Sequence, residues 1–188
     1  MRFNWNITAD YDYASTQVNL PSDIAKRVMD WGKENIPDEE VSDTDGNQGR
    51  EDNPHITILY GIVDDAPQQV IDLLQGKPQV TATLGKVSLF ENDDYDVVKI
   101  SVESEDLAEF QKILWDEVEH ESDYPEYEPH VTIAYVKPGS GSSYSGATDF
   151  EGTEITFDTV VFSPSDDDEE KTNIPLGIGI AAKLNWSL

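Results

Sequence analysis

Two octapeptides constrain this chain more than any other feature: Pro54-His-Ile-Thr-Ile-Leu-Tyr-Gly61 and Pro129-His-Val-Thr-Ile-Ala-Tyr-Val136. Pro, His, Thr, Ile and Tyr recur at the same five positions, at an offset of 75 residues, and two of the chain's 3 histidines fall inside them. A lone His-x-Thr is common by chance. Two copies in matched octapeptides, one in each half of the chain, point to a duplicated structural unit. The alternative is a pair of duplicated core strands whose His and Thr only satisfy backbone groups.

Both octapeptides are rich in β-branched residues and read as strands. Side chains of a strand alternate between its faces, so His55 and Thr57 share one face, as do His130 and Thr132. Ile56, Ile58 and Tyr60 take the opposite face, with Val131, Ile133 and Tyr135 as their counterparts, and their apolar character marks that as the core side. If the halves pack about a pseudo-two-fold axis, both His/Thr faces converge on one cleft.

Two imidazoles facing one site form an acid–base pair. One takes a proton from a nucleophile and the other gives a proton to a leaving oxygen, both within reach of neutral pH. Each threonine hydroxyl can donate to a non-bridging phosphate oxygen. Such a constellation suits a phosphodiester and needs no metal or other cofactor. The near-symmetry leaves open which imidazole is acid and which is base.

Paired His-x-Thr motifs, each preceded by Pro and carried on a strand of a duplicated chain, resemble the 2H phosphoesterase superfamily over nearly the whole sequence. The resemblance implies an α+β fold of two pseudo-symmetric lobes, each a mostly antiparallel sheet with flanking helices, around a central cleft. It implies a phosphoric diester hydrolase with His55, Thr57, His130 and Thr132 as its catalytic set. Leu84-Gly85-Lys86-Val87-Ser88-Leu89-Phe90-Glu91, Tyr124 to His130 and Ala134 to Gly139 look like bacteriophage members that degrade cyclic oligonucleotide messengers of the CBASS defence. That likeness implies a cyclic di- or trinucleotide substrate. An RNA 2′,3′-cyclic phosphodiesterase or a 2′-5′ oligoadenylate phosphodiesterase is the alternative within the superfamily.

Outside the motifs, Gln17 to Pro21 reads as a strand, and Ser22 as the N-cap of a helix reaching about Ile36. Helices are predicted over Ala66 to Gln75 and, after a Ser104 N-cap, from Glu105 to about His120. Strands are predicted over Val80 to Phe90, Val97 to Val102, Ile155 to Phe162 and Ile174 to Leu184, with one domain spanning 1–188.

Composition narrows the class. The 37% hydrophobic fraction is low, but 4 Trp, 8 Tyr and 6 Phe can bury the area a core needs. There is no cysteine, hence no disulfide, thiolate metal site or Cys nucleophile. The formal charge of −27 disfavours duplex nucleic acid as a partner. No apolar run approaches a membrane span, and the first residues do not read as a signal peptide. The expectation is a cytoplasmic protein, active as a monomer on a small nucleotide.

Five further residues are candidates for substrate binding. Tyr11 or Tyr13 could stack on a base, Phe90 could meet substrate from a strand end beside an acidic turn, Lys137 could offset phosphate charge, and Glu154 could read a base edge. Each has a plain alternative in packing or solvation. His120 reads as a surface residue. Gly177 to Ala182 has the letters of a dinucleotide fingerprint without room for a βαβ unit, and Asp43 to Asn47 lacks the spacing of a calcium loop. Two readings outside catalysis stay open: a sponge that binds a cyclic nucleotide without cutting it, and an acidic decoy of DNA.

Overall fold

The structure is a computed structural model describing residues 13–42, 49–122, 126–165 and 169–177. Among the described residues eight strands form two antiparallel four-stranded sheets, the α+β two-lobed fold expected. The elements are β1 (Ala14–Asn19), α1 (Ser22–Asn35), β2 (His55–Ile62), α2 (Gln68–Leu74), β3 (Val80–Glu91), β4 (Asp96–Glu103), α3 (Glu105–Glu117), β5 (His130–Val136), β6 (Thr153–Phe157), β7 (Thr159–Ser163) and β8 (Thr172–Pro175). One sheet has the order β2-β1-β7-β8 and the other β5-β4-β3-β6. Each His-x-Thr strand thus stands at one end of its sheet, with a single neighbouring named strand.

The final third of the chain corrects the sequence reading. Ile155 to Phe162, expected as one strand, is two strands in different sheets: β6 pairs with β3 and β7 with β1. The burial pattern explains the break. In β6 buried Ile155 and Phe157 alternate with exposed Glu154 and Thr156, whereas β7 is buried from Val160 to Ser163. Asp158 between them is exposed, and its carbonyl accepts a 2.7 Å hydrogen bond from Leu176 N. The last strand is described only over Thr172–Pro175; the predicted stretch 178–184 lies outside the described residues.

Helix ends differ from expectation for identifiable reasons. Ser104 caps α3 as predicted, its hydroxyl accepting from Leu107 N at 3.0 Å and donating to Thr81 O at 2.6 Å. Ser22 is already helical, because Ala25 N bonds the carbonyl of Pro21 at 2.8 Å and moves the boundary back by one residue. α3 stops at Glu117 rather than His120, since 119–121 is drawn into an antiparallel bridge with the end of β2. There Glu121 N reaches Gly61 O at 2.8 Å. Gly61 has φ +93°, and a Cβ on it would stand 3.0 Å from Ser122 N, so this close crossing needs glycine.

Both motif strands carry a β-bulge one residue after the threonine. In β2 the register steps from Gln17↔Thr57 to Thr16↔Leu59, leaving Ile58 as the extra residue. In β5 it steps from Lys99↔Thr132 to Val98↔Ala134, leaving Ile133 extra. An extra residue reverses the side-chain alternation beyond it. Leu59 and Ala134 therefore turn into the core, while Tyr60 and Tyr135, expected there, turn out of it; Tyr60 is 37% exposed. In β2 the freed Leu59 N–H is satisfied by the buried Thr16 hydroxyl at 3.2 Å.

The core side of the motif strands is fully buried: Ile56, Ile58, Val131 and Ile133 are at most 2% exposed. α1 lies against β5 with Gly32 facing Ile133, where a Cβ would come within 3.0 Å of the isoleucine Cγ2. α3 packs in turn against β2, so each motif strand has a helix against it.

Candidate active site

Equivalent backbone contacts place the two motifs in matching environments. Pro54 and Pro129, lacking an N–H to offer, open their strands. Their carbonyls accept from Leu20 N and Val102 N, each at 3.1 Å. His55 then pairs with Asn19 and Thr57 with Gln17 on β1. His130 pairs with Ser101 and Thr132 with Lys99 on β4. Residues paired across a ladder project to the same face, so each lobe presents a four-residue patch of one imidazole, one threonine and two polar neighbours.

The imidazoles are oriented in the same way. His55 Nδ1 lies 2.9 Å from Asn53 O and His130 Nδ1 lies 2.8 Å from Glu128 O, each two residues upstream. A carbonyl only accepts, so in the neutral ring Nδ1 carries the proton and Nε2 keeps its lone pair. Both rings therefore offer Nε2 for proton transfer. All four His and Thr side chains are half-buried.

The two patches meet across the lobe boundary. β2 and β5 are in contact, and Tyr127, three residues before His130, donates from its hydroxyl to Thr57 O at 2.9 Å. Burial of that phenol raises its pKa far above the ordinary value. The charge of His55 acts on His130, lowering its proton affinity.

His130 is the more perturbed imidazole. Desolvation is the largest cause, opposed by the Glu128 carbonyl and reinforced by Lys99 and His55, and together they lower its pKa to about 4. Phe90 covers it, ring centroids 5.1 Å apart and planes at 89°. Lys99 Nζ in turn lies 3.9 Å from the Phe90 ring centroid and 3.3 Å from Ser88 Oγ. Phe90, a substrate-binding candidate from the sequence, thus stands edge-on against His130.

The other candidates are placed elsewhere. Tyr13 precedes β1 at the end away from His55, with its hydroxyl on Glu121 at 2.5 Å and its ring edge-on to Tyr60. Lys137 follows the far end of β5, where its ammonium donates to Glu39 O at 2.5 Å. Glu154 is exposed on β6, separated from β5 by β4 and β3, roughly 14 Å at the usual strand spacing. Tyr11 lies outside the described residues. His120 lies against Trp115, ring centroids 4.2 Å apart and planes tilted by 54°, at the opposite end of β2 from His55. Among the described residues no three His, Asp or Glu side chains come together as a metal-ligand set.

Lys99 and Tyr127 were not singled out from sequence. Lys99 left a trace, as a lone charge within the apolar run Val97-Val98-Lys99-Ile100, at a position whose alternation matches the polar face. Tyr127 sits in a loop, where no periodicity assigns a direction.

Residues 21–158 match the 2′-5′ RNA ligase superfamily, more than half of the chain. No curated protein sequence matches the chain. Among solved structures, TT0787 of Thermus thermophilus superposes with a TM-score of 0.60 at 14% identity, covering 86% of this chain and 97% of that one. LigT of E. coli in complex with 3′-AMP gives 0.57 at 16% identity, covering 89% and 96%. Usb1 of Kluyveromyces marxianus gives 0.54 at 11% identity, covering 89% and 99%. At these identities the likeness is one of fold.

Proposed function

The chain belongs to the 2′-5′ RNA ligase superfamily of 2H phosphoesterases, and from that premise we propose that it is a phosphodiesterase acting on a small nucleotide, with His55 and His130 as its acid–base pair. The observation that carries this reading is the matched orientation of the two imidazoles. Each has Nδ1 tied to a backbone carbonyl, leaving Nε2 for the substrate, and each is flanked on its own strand by a threonine hydroxyl.

In the reaction, one Nε2 takes the proton of a nucleophilic hydroxyl or water as its oxygen bonds to phosphorus. The other, protonated, delivers its proton to the oxygen that leaves. Thr57 and Thr132 donate to the non-bridging oxygens, where negative charge accumulates. Every proton movement is accounted for by the two rings.

LigT has been crystallised with 3′-AMP, with ATP and with NADP+. Those complexes support a small nucleotide as the class of ligand. Within that class we favour cyclic di- or trinucleotides, on the resemblance of segments 84–91, 124–130 and 134–139 to phage enzymes of host-defence evasion.

The test is a substrate panel in EDTA: cyclic di- and trinucleotides, 2′,3′-cyclic mononucleotides, 2′-5′ oligoadenylates and linear RNA, separated by chromatography. Turnover of a cyclic oligonucleotide, lowered by about 10²–10⁴ in His55→Ala and in His130→Ala, is the expected result. Intact nucleotide recovered after denaturing a tight complex identifies a sponge instead. Activity that requires added metal excludes the two-histidine mechanism.

A further inference from the structure

The pseudo-two-fold relation between the motifs fails at one pair of positions. On β1 the residue beside Thr57 is Gln17; on β4 the residue beside Thr132 is Lys99. The two positions are equivalent by register, since each pairs with the motif threonine immediately before its bulge. Both side chains are buried, Gln17 to 5% and Lys99 to 6% relative exposure. Gln17 is internally satisfied, its amide donating to Asn19 Oδ1 at 2.6 Å. Lys99 is not matched in charge.

A buried lysine is ordinarily paired with a carboxylate, because an isolated ammonium is costly to remove from water. This chain has 39 Asp and Glu against 12 Lys and Arg, so acidic partners abound. Yet among the described residues no carboxylate forms an ion pair with Lys99. Its contacts are a neutral hydroxyl, Ser88 Oγ at 3.3 Å, and the face of Phe90 at 3.9 Å. Glu128 favours its charged form from a distance while desolvation opposes it, and desolvation is the larger cause. The ammonium is held within the His130/Thr132 patch, short of the counter-ion that burial calls for.

Given the phosphodiesterase reading, on which this inference rests, we propose that Lys99 is a substrate-binding cation that receives a non-bridging oxygen of the scissile phosphate beside Thr132. The substrate's anion supplies the missing counter-ion, and a low-dielectric position makes the contact stronger than one at the surface. The same placement gives the near-symmetric site a direction. The groups facing His130 are Lys99 from β4, His55 from β2, Phe90 from β3 and the Glu128 carbonyl from the preceding loop. Desolvation first, and then the nearby Lys99 ammonium, disfavour a positive charge on that ring, so His130 is the neutral imidazole that accepts the nucleophile's proton. His55, beside uncharged Gln17, delivers the proton to the leaving oxygen.

Inorganic phosphate is the probe, titrated calorimetrically into the full chain and into Lys99→Met and Lys99→Arg. Methionine replaces the lysine stem at similar volume and removes only the charge, and circular dichroism confirms that each variant is folded. Phosphate affinity should fall by at least about tenfold in Lys99→Met and stay within a few-fold in Lys99→Arg. On a cleaved nucleotide, kcat should fall by about 10²–10³ in Lys99→Met, and the acidic limb of its pH–rate profile should move to higher pH. Equal phosphate affinity in wild type and folded Lys99→Met, or no phosphate binding by wild type, overturns the proposal. Phosphate binding that depends on Lys99, in a protein that cleaves no phosphodiester, upholds the anion site and removes the phosphodiesterase reading alone.

Discussion

The phenol of Tyr127 donates a 2.9 Å hydrogen bond to the backbone carbonyl of Thr57, 70 residues away. The bond joins the approach to the second motif directly to the middle of the first, across the boundary between sheets. Two motif strands that belong to different sheets share no ladder, so their relative position depends on such crossings. Errors of about 1 Å in the placement of reacting groups can cost about 10²-fold in rate.

Tyr127→Phe removes that one bond and keeps the ring. Stability should fall by about 1 kcal/mol, the usual net worth of a hydrogen bond. kcat should fall by roughly tenfold or more with KM little changed, because geometry rather than ground-state affinity is lost. Urea denaturation and steady-state kinetics on the same preparation check the two effects. A stability loss without any loss of kcat shows that the crossing does not position the motifs.

His130, lowered to about pKa 4, is neutral throughout the mildly acidic range. If it is the base, kcat/KM holds as pH falls below the ordinary histidine value of about 6.5 and is lost only near pH 4. Stability follows the same group. Between about pH 6.5 and 4 the unfolded chain binds a proton at this position that the folded chain does not, so His130 makes the fold less stable as pH falls through that window. Urea titrations of wild type and His130→Gln should show wild type losing ground to the variant as pH drops from 6.5 to 4.

Phe90→Ala opens the face of His130 to water. Desolvation is the largest cause of that ring's lowered pKa, so hydration moves it back up toward 6.5. The variant should lose proportionally more activity at pH 5 than at pH 7.5, and the acidic limb of its profile should shift upward. Histidine ring signals followed by NMR across the same pH range report the shift independently of turnover. A parallel loss at both pH values is evidence against Phe90 as the dehydrating wall.

Thr16→Val deletes the hydroxyl that satisfies Leu59 N at the β2 bulge, in a fully buried position. An orphaned buried N–H costs about 1–3 kcal/mol. For a chain of this size that lowers Tm by roughly 2–12 °C, measurable by calorimetry. Activity should fall as well, because the bulge adjoins Thr57. An unchanged Tm means that another group satisfies the amide.

The octapeptide repeat by itself determined the essentials of the candidate site. Alternation along a strand depends only on local backbone geometry, so His55 with Thr57 and His130 with Thr132 could be placed on shared faces without any knowledge of the fold. Ser104 as a helix cap and the three helices were legible for the same local reason. The tertiary structure decided what depends on pairing between distant segments. Bulges at Ile58 and Ile133 arise from register against β1 and β4, and they turned Tyr60 and Tyr135 away from the core that simple alternation assigns them. The division of 155–162 between two sheets reflects which partner strand each half meets. The pairing of Lys99 with Thr132, of Gln17 with Thr57, and the reach of Tyr127 to Thr57 all join residues tens of positions apart. Periodicity carries the direction of a side chain along its own strand; only the folded ladder and the packing between sheets carry what stands beside it.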